Sequence, residues 1–116
     1  MNSVVKPANV SEDWTDVCVA SLLTPDVGIC VLFKGEQVAI FYERKSDKLY
    51  AISNYDPIGK ANVLSRGIVG SLGDKLVVAS PLYKQHFCLN TGKCLEEDVK
   101  IKTYSVRIHD GKVQLN

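Results

Sequence analysis

The side chains able to do chemistry are few. The cysteines are Cys18, Cys30, Cys88 and Cys94, and the histidines are His86 and His109. No two cysteines form a Cys-x-x-Cys pair, so a structural zinc site has no close-set ligands to start from. The nearest approach to a metal site is the loose triplet His86, Cys88 and Cys94, in which His86 and Cys88 would share one face of a strand. Its spacing matches no structural-zinc pattern, and a cysteine in an apolar strand pattern serves as a small core residue. His109 stands alone before a turn and reads as exposed. The stretch from Ser65 to Asp74 is rich in glycine, at Gly67, Gly70 and Gly73. It lacks the Lys-Ser/Thr of a phosphate-binding loop and reads as part of two short strands joined by a tight turn. No nucleophile is paired with a base, and no carboxylate pair has a recognisable setting, so no independent active site is expected. What remains are two short polar boxes, Asn54-Tyr55-Asp56-Pro57 and Ser80-Pro81-Leu82-Tyr83. The first is loop-like by composition: Asn and Asp bond their own backbone in turns, and Pro57 restrains Asp56 to extended conformations.

The elements that must position these boxes are strands. Gly28 to Phe33 is an apolar run, Lys34-Gly35 a turn, and Gln37 to Tyr42 a second strand, giving a hairpin. After the polar turn at Arg44 to Asp47, Lys48 to Ser53 resumes strand character. A short strand is expected over Trp14 to Val19, with Trp14 a packing anchor near the edge, and a connection over Ser21 to Asp26. Strands are further expected at Ile68-Val69, Lys75 to Ala79, and Gln85 to Leu89. Thr103 to Ile108 alternates cleanly, and Asp110-Gly111 is a two-residue hairpin signal before Val113 and Leu115. Ile58 to Leu64 is ambiguous, with one helical turn through Ala61, Val63 and Leu64 as the alternative. Cys94 to Lys102 reads as an irregular connection. Repeated strand–turn units without a helical period define an all-β domain.

Composition narrows the function classes. The chain has 116 residues, enough for one domain and one hydrophobic core. We expect a flexible N-terminus over residues 1–10 and one domain over 11–116. With 14 basic and 13 acidic residues the net charge is +1, which argues against a nucleic-acid binder. The longest apolar run, Ile29 to Phe33, is too short to cross a bilayer. Met1 to Asn9 lacks the basic-then-apolar pattern of a signal peptide, so a cytoplasmic protein with reduced cysteines is expected.

The boxes carry a resemblance. Together with Phe87, Leu89, Thr91 and Gly92, they resemble a Rieske iron–sulfur domain, whose boxes read Cys-x-His and Cys-Pro-x-His. Asn54 and Asp56 stand where the first pair of ligands would be, and Ser80 and Tyr83 where the second would be. The resemblance implies an antiparallel Rieske-like β-sandwich or barrel with a cluster-binding-type subdomain, here without its cluster. A Rieske centre takes two thiolates on one iron and two imidazoles on the other. An amide, a carboxylate, an aliphatic hydroxyl and a phenol do not reproduce that set, and no His or Cys lies one residue away to rescue it.

A closer resemblance covers nearly the whole chain. The segments Leu64-Ser65-Arg66-Gly67-Ile68-Val69-Gly70, Ala79-Ser80-Pro81-Leu82-Tyr83-Lys84-Gln85, Thr91-Gly92-Lys93-Cys94-Leu95 and Val106-Arg107-Ile108-His109-Asp110-Gly111 are similar to the small subunit of NAD(P)H-dependent assimilatory nitrite reductase. This implies a partner, the large catalytic subunit. In that family it carries FAD, siroheme and an iron–sulfur cluster and reduces nitrite to ammonium. The chain itself is then an accessory subunit with no cofactor. The competing reading is a free-standing Rieske-type [2Fe-2S] electron carrier. Arg66 and Lys84 flank the boxes and are expected to contact the partner. Asn54, Asp56, Ser80 and Tyr83 are expected to converge in a hydrogen-bonded network that ties the two loops together.

Overall fold

A computed structural model describes residues 13–116. The expected flexible lead-in lies outside the described residues, apart from which the architecture is antiparallel throughout its named sheets. In chain order the strands are β1 (Thr15–Val19), β2 (Ile29–Phe33), β3 (Glu36–Glu43), β4 (Lys48–Ser53), β5 (Tyr55–Asp56) and β6 (Ala61–Asn62). They continue as β7 (Ile68–Leu72), β8 (Lys75–Ala79), β9 (His86–Cys88), β10 (Thr103–Tyr104), β11 (Val106–His109) and β12 (Lys112–Leu115). They form sheets ordered β1-β12-β11, β10-β4-β3-β2 and β7-β8-β9, with β5-β6 as a separate small hairpin.

The middle sheet is apolar on both faces, and β3 shows why. Val38, Ala39, Ile40 and Phe41 are all buried. Successive strand side chains point to opposite faces. Val38 and Ile40 therefore pack with Val113 and Leu115 of the terminal sheet, while Ala39 and Phe41 pack with Val78 and Phe87 of the β7-β8-β9 sheet. The result is two cores on either side of one sheet. A run of four apolar residues in β3, rather than an alternating one, is the sequence trace of that double burial.

The hairpin signals are realised. Lys34 and Gly35 both have positive φ, at 51° and 79°, as do Asp110 and Gly111 at 55° and 77°. Two such residues make the turn whose twist matches the flanking strands. Two expectations change. Thr103 to Ile108 is not one strand: Tyr104 pairs with Ala51 of β4, whereas Val106 pairs with Leu115 of β12. Alternation reports which face is apolar but not which sheet supplies the partner, so the change of sheet at Ser105 leaves no mark. Ala61-Asn62 pairs back onto Tyr55-Asp56, and the helical turn falls later, as a 3-10 turn at Leu64–Arg66. Trp14 is half-buried, with the Arg107 guanidinium 4.3 Å from its ring centre. The segment after Cys94 is irregular and is held by isolated bridges such as Phe87 to Cys94.

Candidate functional site

The first box begins where β4 leaves the middle sheet, and the second where β8 leaves the small sheet. Both start at strand ends anchored by core residues, so their inner side chains have little freedom. Asn54 is 2% exposed, Asp56 0% and Ser80 1%. These are the buried polar residues among those described, and buried polar groups must find partners.

Asp56 finds three. Its Oδ1 accepts the Ile58 and Gly59 backbone N–H groups at 2.8 and 3.0 Å, and its Oδ2 accepts the Ser80 hydroxyl at 2.5 Å. The first two bonds close the first loop on itself. The third joins it to the second loop. Ser80 Oγ in turn accepts the Leu82 N–H at 3.3 Å, and the Lys84 N–H bonds the Ser80 carbonyl at 3.1 Å. Gly59 lets the two loops approach closely: a Cβ there would lie 2.4 Å from Leu82 Cδ1 and 3.0 Å from Asp56 Oδ2, so the Leu82 side chain would have to shift.

Asn54 faces elsewhere. Its Oδ1 accepts the Ser65 N–H at 2.6 Å, and its Nδ2 donates to Gln37 Oε1 at 3.0 Å and to Cys30 Sγ at 3.5 Å. It ties the β2-β3 hairpin to the 3-10 turn and touches neither Asp56 nor Ser80 through a side-chain bond. Tyr83 is 66% exposed, and no hydrogen bond of its hydroxyl is found within the described residues. The four positions therefore do not converge as expected. Asp56 and Ser80 form the tie, Asn54 serves a different junction, and Tyr83 stays exposed on the turn between Ser80 and Gln85.

This arrangement does not fit a two-iron cluster. The two oxygens that would face the metal, Asp56 Oδ2 and Ser80 Oγ, are already bonded to each other at 2.5 Å. Of the other two positions, Asn54 is bonded to Gln37, Cys30 and Ser65, and Tyr83 is exposed. The donor chemistry is equally wrong, with no thiolate and no imidazole among the four.

The second metal candidate also resolves into ordinary contacts. The His86 ring Nδ1 lies 2.6 Å from Glu96 Oε2, and its backbone N–H donates to Glu96 Oε1 at 2.8 Å. Cys94 Sγ lies 3.8 Å from the same Oε1. Burial pushes the Glu96 carboxyl up, but the bonds from His86 outweigh it, and the group ends below the usual carboxylate range. Cys88 lies apart, near Lys75 and Thr91. Burial raises its thiol, and the hydrogen bonds from Thr91 and Asn90 with the Lys75 charge turn the balance downwards. Among the described residues no group of three His, Cys, Asp or Glu is placed to hold a metal. Arg66 and Lys84, the expected partner contacts, are both exposed and sit at the box end of the small sheet, Lys84 with a φ of 64°.

Glu96, Gln37 and Ser65 were missed from the sequence. Glu96 lies ten residues from His86, and Gln37 seventeen from Asn54, so neither pairing has a local signature.

The sheets and the paired loops define a Rieske-type domain whose ligand positions hold other residues. A sequence profile described as a Rieske-like [2Fe-2S] domain matches residues 13–116. The chain is 48% identical over 103 residues to the nitrite reductase (NADH) small subunit of Salmonella typhimurium, covering 88% of this chain and 95% of that one. The NMR structure of Escherichia coli NirD superposes with a TM-score of 0.80 at 45% identity, covering 89% of this chain and 94% of that one. A 109-residue stretch of the Klebsiella oxytoca nitrite reductase [NAD(P)H] large subunit is also similar, at 36% identity, covering 93% of this chain and 11% of that protein. The chain belongs to the Rieske-like family and, within it, to the small subunits of NADH nitrite reductase.

Proposed function

We propose that the chain is the accessory subunit of an NAD(P)H-dependent nitrite reductase that reduces nitrite to ammonium, bound to a large catalytic subunit. The single observation that carries this reading is the match to a small subunit over nearly the full length of both chains. The FAD, siroheme and iron–sulfur cluster belong to the large subunit in this reading, and electrons reach nitrite there. The chain contributes no redox group, because the positions a Rieske cluster would use are spent on the Asp56–Ser80 tie and on the Asn54 junction. Its role is to bind and support the catalytic subunit in the cytoplasm, with Arg66 and Lys84 among its contacts. Among the described residues no helix is long and apolar enough to cross a membrane.

The test is reconstitution. Purified large subunit is assayed for NADH- and NADPH-dependent nitrite reduction with and without this chain, and binding is measured in parallel. Binding together with a higher or more persistent rate is the expected result. Equal rates with no binding overturn the reading. A Rieske-type visible absorption band with stoichiometric iron in the anaerobically purified chain would instead support an electron carrier.

A further inference from the structure

The small sheet has a second face. Val78 and Phe87 point into the core, so their neighbours Val77 and Cys88 must point the other way. Both are buried, at 2% and 7% exposure, yet neither belongs to a core cluster. Residues directly opposite across a strand pair share a face. Val77 lies opposite Gly70, so Ile68, Gly70 and Leu72 of β7 continue the same outer face. Ile68 is 76% exposed and Leu72 43%. Between them Gly70 leaves a notch, since a Cβ there would meet nothing within 4 Å.

Among the described residues nothing covers the edge of this sheet at β7. Among the described residues β7 pairs only with β8, so its other side carries backbone donors and acceptors that no described strand takes up. Residues Gly67 to Gly73 include no charge and no proline, the devices that usually guard such an edge. The rim is basic. A cavity of about 320 Å³ beside Cys88 is lined by Lys75, Lys93 and Lys100, with Leu95 exposed next to them. None of these lysines makes an ion pair among the described residues. Glu97 and Asp98, on the same loop, do not line it.

We propose that this face and the β7 edge form the docking surface for the large subunit of nitrite reductase. An apolar side chain of the partner seats over Gly70 between Ile68 and Leu72, and partner carboxylates meet Lys75, Lys93 and Lys100. The inference rests on the subunit assignment above and says where the contact lies. An apolar centre with a charged rim is the anatomy of a protein interface. Charge selects the occupant. A second copy on the same face would set lysines near lysines, a like-charge arrangement that disfavours pairing. The Klebsiella oxytoca large subunit holds a stretch similar to this chain within its own polypeptide, so there the domain and the rest of the large subunit are joined in one chain.

The experiment measures binding of the full chain to purified large subunit by calorimetry, for wild type, Ile68→Asp, Gly70→Glu and Lys75→Glu. Gly70 is not among the positive-φ residues, and the notch is open, so Gly70→Glu is expected to fold. Thermal melts check that each variant does. Ile68→Asp and Gly70→Glu are expected to weaken binding by about tenfold or more. Lys75→Glu should weaken it less and flatten its dependence on salt. Folded variants that all bind within about twofold of wild type would overturn the docking surface and leave the subunit assignment standing. A wild type that does not bind the large subunit at all would overturn the assignment and the surface with it. A wild-type dimer that Ile68→Asp dissociates would overturn the proposal in favour of self-association.

Discussion

The two boxes began as equivalent halves of a ligand set and end in different states. In the first, both replaced positions are internal: Asn54 and Asp56 are buried, and every polar atom of their side chains is bonded. In the second only Ser80 is internal, while Tyr83 stands in solvent. The difference follows from where each box leaves its sheet. The first box lies between the middle sheet and the 3-10 turn and is packed from two sides. The second is a tight turn between β8 and β9, closed by the Lys84 N–H to Ser80 bond, and only its first residue faces inward. A metal could have equalised the two by pulling one side chain from each to a common centre. Without that demand, each position takes the role its backbone location allows.

The largest effect is expected at Asp56. Asp56→Ala removes the acceptor of two backbone N–H groups and of the Ser80 hydroxyl in a fully buried site. Each stranded donor costs about 1–3 kcal/mol, partly recovered if water enters. We expect a loss of about 4 kcal/mol, read as a shift in the denaturant midpoint with an unchanged slope. Ser80→Ala should cost about 2 kcal/mol, because Asp56 keeps its own-loop bonds and only the tie and the 3.3 Å bond from the Leu82 N–H are lost. The double variant isolates the tie between the loops. If the two loops are joined through this contact, the single losses will not add, and a coupling above about 1 kcal/mol is expected. Additive losses would mean that each side chain only serves its own loop.

Much of the frame was legible, and the reason is local. The turns at Lys34-Gly35 and Asp110-Gly111 carry their signature in two adjacent residues, and β3 and β4 in an uninterrupted apolar pattern. The two boxes with Phe87, Leu89, Thr91 and Gly92 indicated the Rieske-like frame and the replaced ligands, and the segments around Arg66 and Ser80 indicated the nitrite reductase small subunit. What was not legible depends on distance in sequence. The side-chain bonds of Asn54 reach back to Gln37 and forward to Ser65, and which of the four box residues would meet depended on turn geometry that composition does not encode. The change of sheet at Ser105 was hidden for the same reason: two strands of like pattern can pair with different neighbours. The outer face of β7 was read as strand but not as surface, since Ile68 and Val69 look equally apolar in the chain.

Asn54→Ala tests the second role of the first box. It leaves the Ser65 N–H without its acceptor, while Gln37, which is exposed, can turn to water. A loss between about 1 and 2 kcal/mol is expected, with no coupling to Ser80→Ala, because the two side chains share no partner. Coupling between them would return Asn54 to a common network with Ser80.

The smallest effect is expected at Tyr83, and it decides whether the second box is divided as described. A network of four residues would make Tyr83→Phe costly, because a buried phenol leaves an unsatisfied partner when its hydroxyl is removed. The geometry gives the opposite outcome. Tyr83 is 66% exposed, its hydroxyl has no partner among the described residues, and the turn beneath it is closed by backbone bonds that Phe retains. The unfolding midpoint of Tyr83→Phe should therefore lie within about 0.5 kcal/mol of wild type, the ordinary range for a surface substitution. A drop comparable to that of Ser80→Ala would show that the phenol reaches inward in solution and that both boxes are internal after all. An unchanged midpoint leaves Tyr83 free for an external contact, and the large subunit is the partner against which its affinity should be measured next.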